Sequence, residues 1–291
     1  MSVSRPSLGY HILALATILV WGTTFASTKV LLTHGLTPPE IMFYRFIIAY
    51  ALTWLCSRKV WADTWLDELL LAVAGFTGGT LYFLAENTAI DYTITSNVAL
   101  VVCVTPVLTA LLTSIIYRER ITVHLAIGSI VALFGVGFVV LNGAVLQIHP
   151  LGDALALVAA LAWAVYSVVV RRFDGRYTTW FVTRKVFFYG IVTMLPFIAC
   201  GMGGSLHLDR FFIPVVAGNV LFLSVVASML CFYTWNLVLE KLGTIRASNY
   251  MYTQPLVSLA CSVWVLSEPV TPIALLGTVF ILAGIYVAQS R

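Results

Sequence analysis

Apolar residues run along this chain in long blocks, each of helical length, separated by short clusters of turn-forming and charged residues. A helix needs about 20 apolar residues to cross the hydrocarbon core of a bilayer. Ten blocks meet that length, at 9–32, 38–57, 67–89, 94–117, 122–142, 151–172, 179–200, 211–238, 246–267 and 271–289. The breaks fall at Thr37-Pro38-Pro39, Arg58-Lys59, Asp91, Arg118-Glu119-Arg120, Asn142-Gly143, Asp174-Gly175, Gly203-Gly204, Glu240-Lys241 and Glu268-Pro269. These residue types favour turns or resist burial in lipid. The first block carries no small-residue cleavage site and reads as a span, not a removed signal peptide. The pattern predicts an all-α integral membrane protein of ten transmembrane helices.

Composition and charge agree. Hydrophobic residues make up 60% of the chain and charged residues 10%, against about 25% charged in soluble domains. Mean hydropathy is +0.98. The net charge of +4 is unevenly placed. With the N-terminus inside, the cytoplasmic loops hold Arg5, Arg58, Lys59, Arg118, Arg120, Arg171, Arg172, Arg176, Lys241, Arg246 and Arg291. The outer loops hold only Lys29 and Arg210. Cytoplasmic loops collect Lys and Arg, so a multi-pass protein of the cell membrane is expected, a bacterial inner membrane, with both termini cytoplasmic. No basic patch interleaved with aromatics favours nucleic acid. Cys56, Cys103, Cys200, Cys231 and Cys261 lie in apolar stretches without a C-x-x-C pair and read as core residues.

The chain also repeats itself. At a constant offset of 149 residues, Leu81 matches Leu230, Phe83 matches Phe232, Asn87 matches Asn236, Thr95 matches Thr244 and Pro106 matches Pro255. The same offset pairs Glu119 with Glu268, Thr122 with Thr271, Gly128 with Gly277, Leu133 with Leu282 and Gly135 with Gly284. In the first block of each half, Trp21 matches Trp163 and Lys29 matches Arg171. Two units of five spans follow, 1–145 and 146–291. Because five is odd, the second unit enters the membrane from the opposite side. Such inverted repeats place a substrate site near the midplane between the halves.

The same residues carry a family likeness. Trp21-Gly22, then Thr105-Pro106-Val107, Arg118-Glu119-Arg120-Ile121-Thr122, Gly128 and Gly135 are echoed by Gln254-Pro255-Leu256, Ser267-Glu268-Pro269-Val270-Thr271, Gly277 and Gly284. Over nearly its whole length the chain resembles the EamA-like branch of the drug/metabolite transporter superfamily. That resemblance implies a bundle of two inverted repeats around a central cavity, and export or exchange of small metabolites, amino acids among them. It does not choose the substrate.

Several residues are candidates for transport. Arg45 lies inside the second span, where a buried Arg costs at least about 2.5 kcal/mol. It reads as an anchor for a substrate carboxylate, or as a structural ion pair or snorkelling side chain. Arg184 and Lys185, at the start of the seventh span, are expected to snorkel to the cytoplasmic face. Tyr82, Glu86 and Asn87 close the third span, with Tyr82 and Glu86 on one helix face. Glu86 could carry a proton, bind a substrate amine or pair with Arg45, and a Glu–Arg set would suit a zwitterion; an interfacial carboxylate is the alternative. Asn87 and Asn236 read as substrate ligands or as polar glue between helices. Trp163, with Trp21, reads as a cavity wall or as core. Asn249, Tyr252 and Gln254 belong to a polar run that no lipid-facing helix needs. Pro106 and Pro255 read as hinges or static kinks, Glu119 and Glu268 as loop contacts, and Gly75 and Gly79 as a close-packing pair.

A membrane-embedded enzyme acting on a lipid-linked or small apolar substrate is the main rival class. Its usual acidic or histidine motifs do not occur in the sequence, nor does a G-x-x-x-x-G-K-[ST] loop for ATP. The expectation is a secondary transporter and not an enzyme, without cofactor or metal, surrounded by membrane lipid. Proton coupling through Glu86 and a monomer or homodimer complete it.

Overall fold

The computed structural model describes residues 8–93, 95–140, 149–200, 206–257, 260 and 271–289, and these are all-helical or in turns, with no strand among them. Glu268, Ser267, Pro269, Cys261, Asn142-Gly143, Gly203-Gly204, Arg5 and Arg291 lie outside the described residues. The main helices are α1 (Leu8–Thr33), α2 (Pro38–Thr53), α3 (Trp65–Tyr92), α4 (Thr95–Val102), α5 (Thr105–Tyr117), α6 (Val123–Val140), α7 (Pro150–Val170), α8 (Thr179–Ala199), α9 (Pro214–Leu242), α10 (Thr244–Ser248) and α11 (Pro272–Gln289). Among the described residues, six stretches are long and apolar enough to cross a membrane: Leu8–Thr33, Trp65–Tyr92, Leu100–Tyr117, Pro150–Phe173, Thr179–Ala199 and Pro214–Leu242. Val123–Val139 and Leu275–Gln289 are shorter apolar helices.

Helix starts follow local chemistry. Before α2, the Thr37 N–H donates to Glu40 Oε2 at 2.8 Å, and Pro38 and Pro39 occupy the first turn, where a missing N–H costs nothing. Glu40, fully buried, also accepts from the His207 N–H at 2.7 Å and so ties α2 to the segment before α9. Thr64 Oγ1 accepts from the Asp67 N–H at 3.1 Å to start α3, and Thr178 caps α8 through the Phe181 N–H at 3.3 Å.

The expected snorkelling of Arg184 and Lys185 is corrected. Both are buried, because partners reach them inside the protein. Lys185 pairs with Glu68, which also accepts from Tyr189, and Arg184 donates to the Ser57 and Lys59 carbonyls. Beside them Arg176 grips Asp67 with two hydrogen bonds of 2.8 and 2.6 Å. Glu119 pairs with Arg171 at 2.5 Å.

Two helices are interrupted by design of their sequence. A turn at Cys103–Val104 separates α4 from α5, with short bonds from Cys103 N to Leu100 O and from Val104 N to Val101 O. Pro106 therefore stands in the first turn of α5, not mid-helix. Pro255 follows a 3-10 turn, Asn249–Thr253, in the corresponding place. In addition α3 and α9 each carry a π-helical stretch, Phe76–Leu81 and Phe222–Leu230.

Glycines set the closest approaches. Helices α6 and α11 run antiparallel in contact through Gly128, Gly135, Gly277 and Gly284. A Cβ on Gly135 would lie 2.6 Å from the Gly277 carbonyl oxygen, and one on Gly277 would lie 2.6 Å from that of Gly135. Gly75 and Gly79 bring α3 against α8 and α2: a Cβ on Gly75 would sit 2.5 Å from Tyr189 Cβ, and one on Gly79 2.8 Å from Phe46. Gly137, by contrast, faces open space. We expect Gly135→Ala to destabilise the protein by about 1–3 kcal/mol, since overpacking forces the helices apart. Gly137→Ala is expected to be neutral or stabilising by up to about 1 kcal/mol. Thermal denaturation in detergent measures both; equal midpoints would contradict the packing.

Candidate functional site

One small cavity brings several buried polar groups together. It is lined by Trp21, Thr24, Arg45, Tyr82, Phe83, Glu86, Trp163, Met251 and Gln254. Its volume is about 20 Å³, room for about one water. The lining comes from α1, α2, α3, α7 and the segment after α10, so it draws on both halves of the chain.

Arg45 is 2% exposed. Its Nε donates to Ser228 Oγ at 2.9 Å, and its guanidinium carbon sits 4.2 Å from the centre of the Phe83 ring. That face-on contact is a cation–π interaction. Among the described residues Arg45 forms no ion pair, so the expected alternative of a structural Arg45–Glu86 bridge is not the arrangement here. Glu86 instead accepts from the Tyr82 hydroxyl at 2.5 Å, one helical turn away. A buried cation and a buried carboxylate thus face one cavity, each held by a neutral hydroxyl.

Aromatic rings close the remaining sides. Trp21 and Trp163 meet edge to face, with ring centres 5.2 Å apart, and Trp163 packs on Tyr82 at 4.9 Å. The Trp21 indole N–H donates to the Ala227 carbonyl at 2.9 Å, while the Trp163 indole N–H has no partner among the described residues. Gly22 allows α1 to approach Val257, where a Cβ would come within 2.6 Å of the valine side chain.

Of the sequence candidates, Arg45, Tyr82, Glu86, Trp163 and Gln254 come together on this wall. Asn87, Asn236, Asn249 and Tyr252 do not. Asn87 lies between helices, its amide donating to the Pro38 carbonyl at 3.5 Å. Asn236 accepts from the Tyr166 hydroxyl at 2.5 Å and donates to Thr183 at 3.0 Å, joining α7, α8 and α9. Tyr252 packs among Cys103, Ala132, Val136 and Ile281, on the side of the α6–α11 pair. Asn249 is buried, its amide without a partner among the described residues. Helical rotation explains the split, because Tyr252 and Gln254 two residues apart point to different sides. From the sequence Phe83 stood out only as a repeat match to Phe232, and Met251 and Ser228 not at all. Phe83 and Met251 look like any core residue there, and Ser228 is one hydroxyl in an apolar run.

Two stretches of the chain, residues 8–141 and 150–289, each match the EamA-like transporter family. The chain belongs to that family. Relatives cover almost all of it. A protein of Archaeoglobus fulgidus called an uncharacterized transporter is 28% identical over 94% of this chain and 96% of its own length. A probable amino-acid metabolite efflux pump of Escherichia coli is 26% identical, over 95% and 93%. A probable terminal-alkyne amino-acid exporter of Streptantibioticus cattleyicolor is 24% identical, over 94% and 91%. One solved crystal structure superposes with a TM-score of 0.73 at 20% identity, covering 97% of this chain and 96% of the other, which shows a shared fold. This EamA-like transporter is a multi-pass membrane protein.

The two kinds of buried polar residue separate by experiment. Asn236→Ala removes two hydrogen bonds and strands the Tyr166 hydroxyl, so a loss of about 1–3 kcal/mol is expected. Gln254→Ala, which breaks no hydrogen bond among the described residues, is expected to cost less than Asn236→Ala. Denaturation midpoints of the two variants in detergent measure the difference; the reverse order would refute the placement.

Proposed function

We propose that this EamA-like transporter is a secondary transporter that exports small zwitterionic metabolites such as amino acids, by alternating access to the cavity between its halves. The observation that carries the reading is the pairing of Arg45 and Glu86 on one enclosed wall without a direct ion pair. A free zwitterion supplies the missing partners: its carboxylate to the Arg45 fork, its ammonium to Glu86. Met251, Phe83, Trp21 and Trp163 offer an apolar surround for a side chain. Two relatives named for amino-acid efflux or export support the same class and direction. With about 20 Å³ available, the helices have to part before such a solute enters, as alternating access requires.

The architecture we propose is ten helices in two inverted repeats, 1–145 and 146–291. The two family matches divide the chain at the same place. The π-helical stretches end at Leu81 and Leu230, residues equivalent at the repeat offset. Phe76–Leu81 packs on α7 and α8, and Phe222–Leu230 packs on α1 and α2, so each touches the first two helices of the opposite half. The excess of Lys and Arg in alternate loops supports cytoplasmic termini in a cell membrane. Proton coupling through Glu86 is part of the proposal, since its carboxylate lines the cavity and its hydrogen-bond partner among the described residues is the Tyr82 hydroxyl.

Proteoliposomes loaded with an equimolar mixture of the standard L-amino acids test it. Saturable release of at least one amino acid is expected from the parent protein. Arg45→Ala should raise the half-saturating concentration by about tenfold or more, the worth of a charge-assisted contact. Glu86→Gln should remove the dependence of release on an imposed pH gradient. No release from the parent would sink the amino-acid reading, and unchanged gradient dependence in Glu86→Gln would sink the coupling.

A further inference from the structure

The stretch Phe222–Leu230 of α9 holds two walls of the cavity at once. In an α-helix the Cys231 N–H would bond the Ala227 carbonyl. Here it bonds the Val226 and Ser228 carbonyls instead. The Ala227 carbonyl is released from that bond and accepts from the Trp21 indole at 2.9 Å. The next residue, Ser228, is fully buried and its hydroxyl accepts from Arg45 Nε at 2.9 Å. Ser224, one turn earlier, turns its hydroxyl back on the Val220 carbonyl at 2.6 Å, the usual habit of a helical serine. Ser228 is aimed outward, across to α2.

We propose that Ser228 is a positioning residue for Arg45, orienting its guanidinium so that the two terminal nitrogens face the cavity as a fork for a carboxylate. This rests on the reading of Arg45 as the carboxylate anchor. A guanidinium is planar, and its five N–H groups have fixed directions. With Nε tied to Ser228 and Cζ held 4.2 Å over the Phe83 ring, the terminal nitrogens are the edge left without a hydrogen bond among the described residues. The π turn supplies the register that brings Ser228 to Arg45; π-bulges recur at functional sites for this reason. Because the tether joins α2 of one half to α9 of the other, relative motion of the halves changes how Arg45 is presented.

The test uses the full-length protein in proteoliposomes, with two probes: the equimolar mixture of standard L-amino acids, and the matching mixture of primary amines that lack the carboxylate. Ser228→Ala, Ser228→Val and Ser228→Thr are compared with the parent and with Arg45→Ala. Losing the tether is expected to raise the half-saturating amino-acid concentration about tenfold in the Ala and Val variants, the size of one charge-assisted hydrogen bond. Maximal rates should stay within about twofold. Preference for amino acids over amines should fall in the same two variants, and Ser228→Thr, which keeps the hydroxyl, should behave as the parent. A higher half-saturation in Arg45→Ala but not in Ser228→Ala overturns the positioning role and leaves the anchor standing. No change in either overturns the anchor, and the proposal with it. A fall in maximal rate alone, or a Val variant that fails to fold where the Thr variant folds, assigns the hydroxyl to helix packing and also overturns it.

Discussion

A carbonyl released from its helical ladder inside a bilayer has no water to bond and must find a donor within the protein. Two stretches in the interior of this transporter meet that constraint. The Tyr82 N–H bonds the Thr77 and Gly79 carbonyls, and the Cys231 N–H bonds those of Val226 and Ser228. In each case one carbonyl, of Gly78 or Ala227, is passed over. The Ala227 carbonyl is taken up by Trp21, which joins α9 to α1 at the cavity wall. At Gly78 the opposite helix comes so close that a Cβ would collide with the Tyr166 ring. Both irregularities therefore lie against the other half of the molecule.

From there the polar interior follows as linked tethers. Ser228 holds Arg45, Tyr82 holds Glu86, and Tyr166 with Thr183 holds Asn236. Buried polar side chains in membrane proteins bind helices together or serve a ligand. Here they are divided by position: Arg45, Glu86 and Gln254 line the cavity, while Asn236 and Asn87 lie between helices away from it. The charged groups at the ends of α3 and α8 do similar bridging work, with Asp67 and Glu68 receiving Arg176 and Lys185. Glu40 with His207 ties together α2 and the segment before α9.

The α6–α11 pair is built differently. Few polar side chains hold it; bare backbone approaches bare backbone at four glycines. Without a hydrophobic drive between helices in lipid, close van der Waals contact is what associates them. These four glycines also match in pairs at the 149-residue offset of the sequence, and in the fold Gly128 meets Gly284 and Gly135 meets Gly277, so each approach requires a small residue on the facing helix.

The sequence by itself determined the solvent, the helical class and the places of the six long spans among the described residues, because apolar run length and breakers are local properties that lipid enforces. The predicted 9–32 became Leu8–Thr33, 151–172 became Pro150–Phe173, and 179–200 became Thr179–Ala199. It also pointed to Arg45, Tyr82 and Glu86, since charge in an apolar run is conspicuous wherever it falls. What only the tertiary structure decided was which polar side chains share a wall. Tyr252 and Gln254 sit in one polar run yet face different neighbours, and Ser228 is an unremarked hydroxyl until α9 crosses α2. Arg184 and Lys185 read as snorkelling from their place near a span end, but partners far along the chain, Glu68 and the Ser57 carbonyl, bury them. Helix rotation and crossing depend on contacts between segments distant in sequence, and no local pattern of residues encodes them.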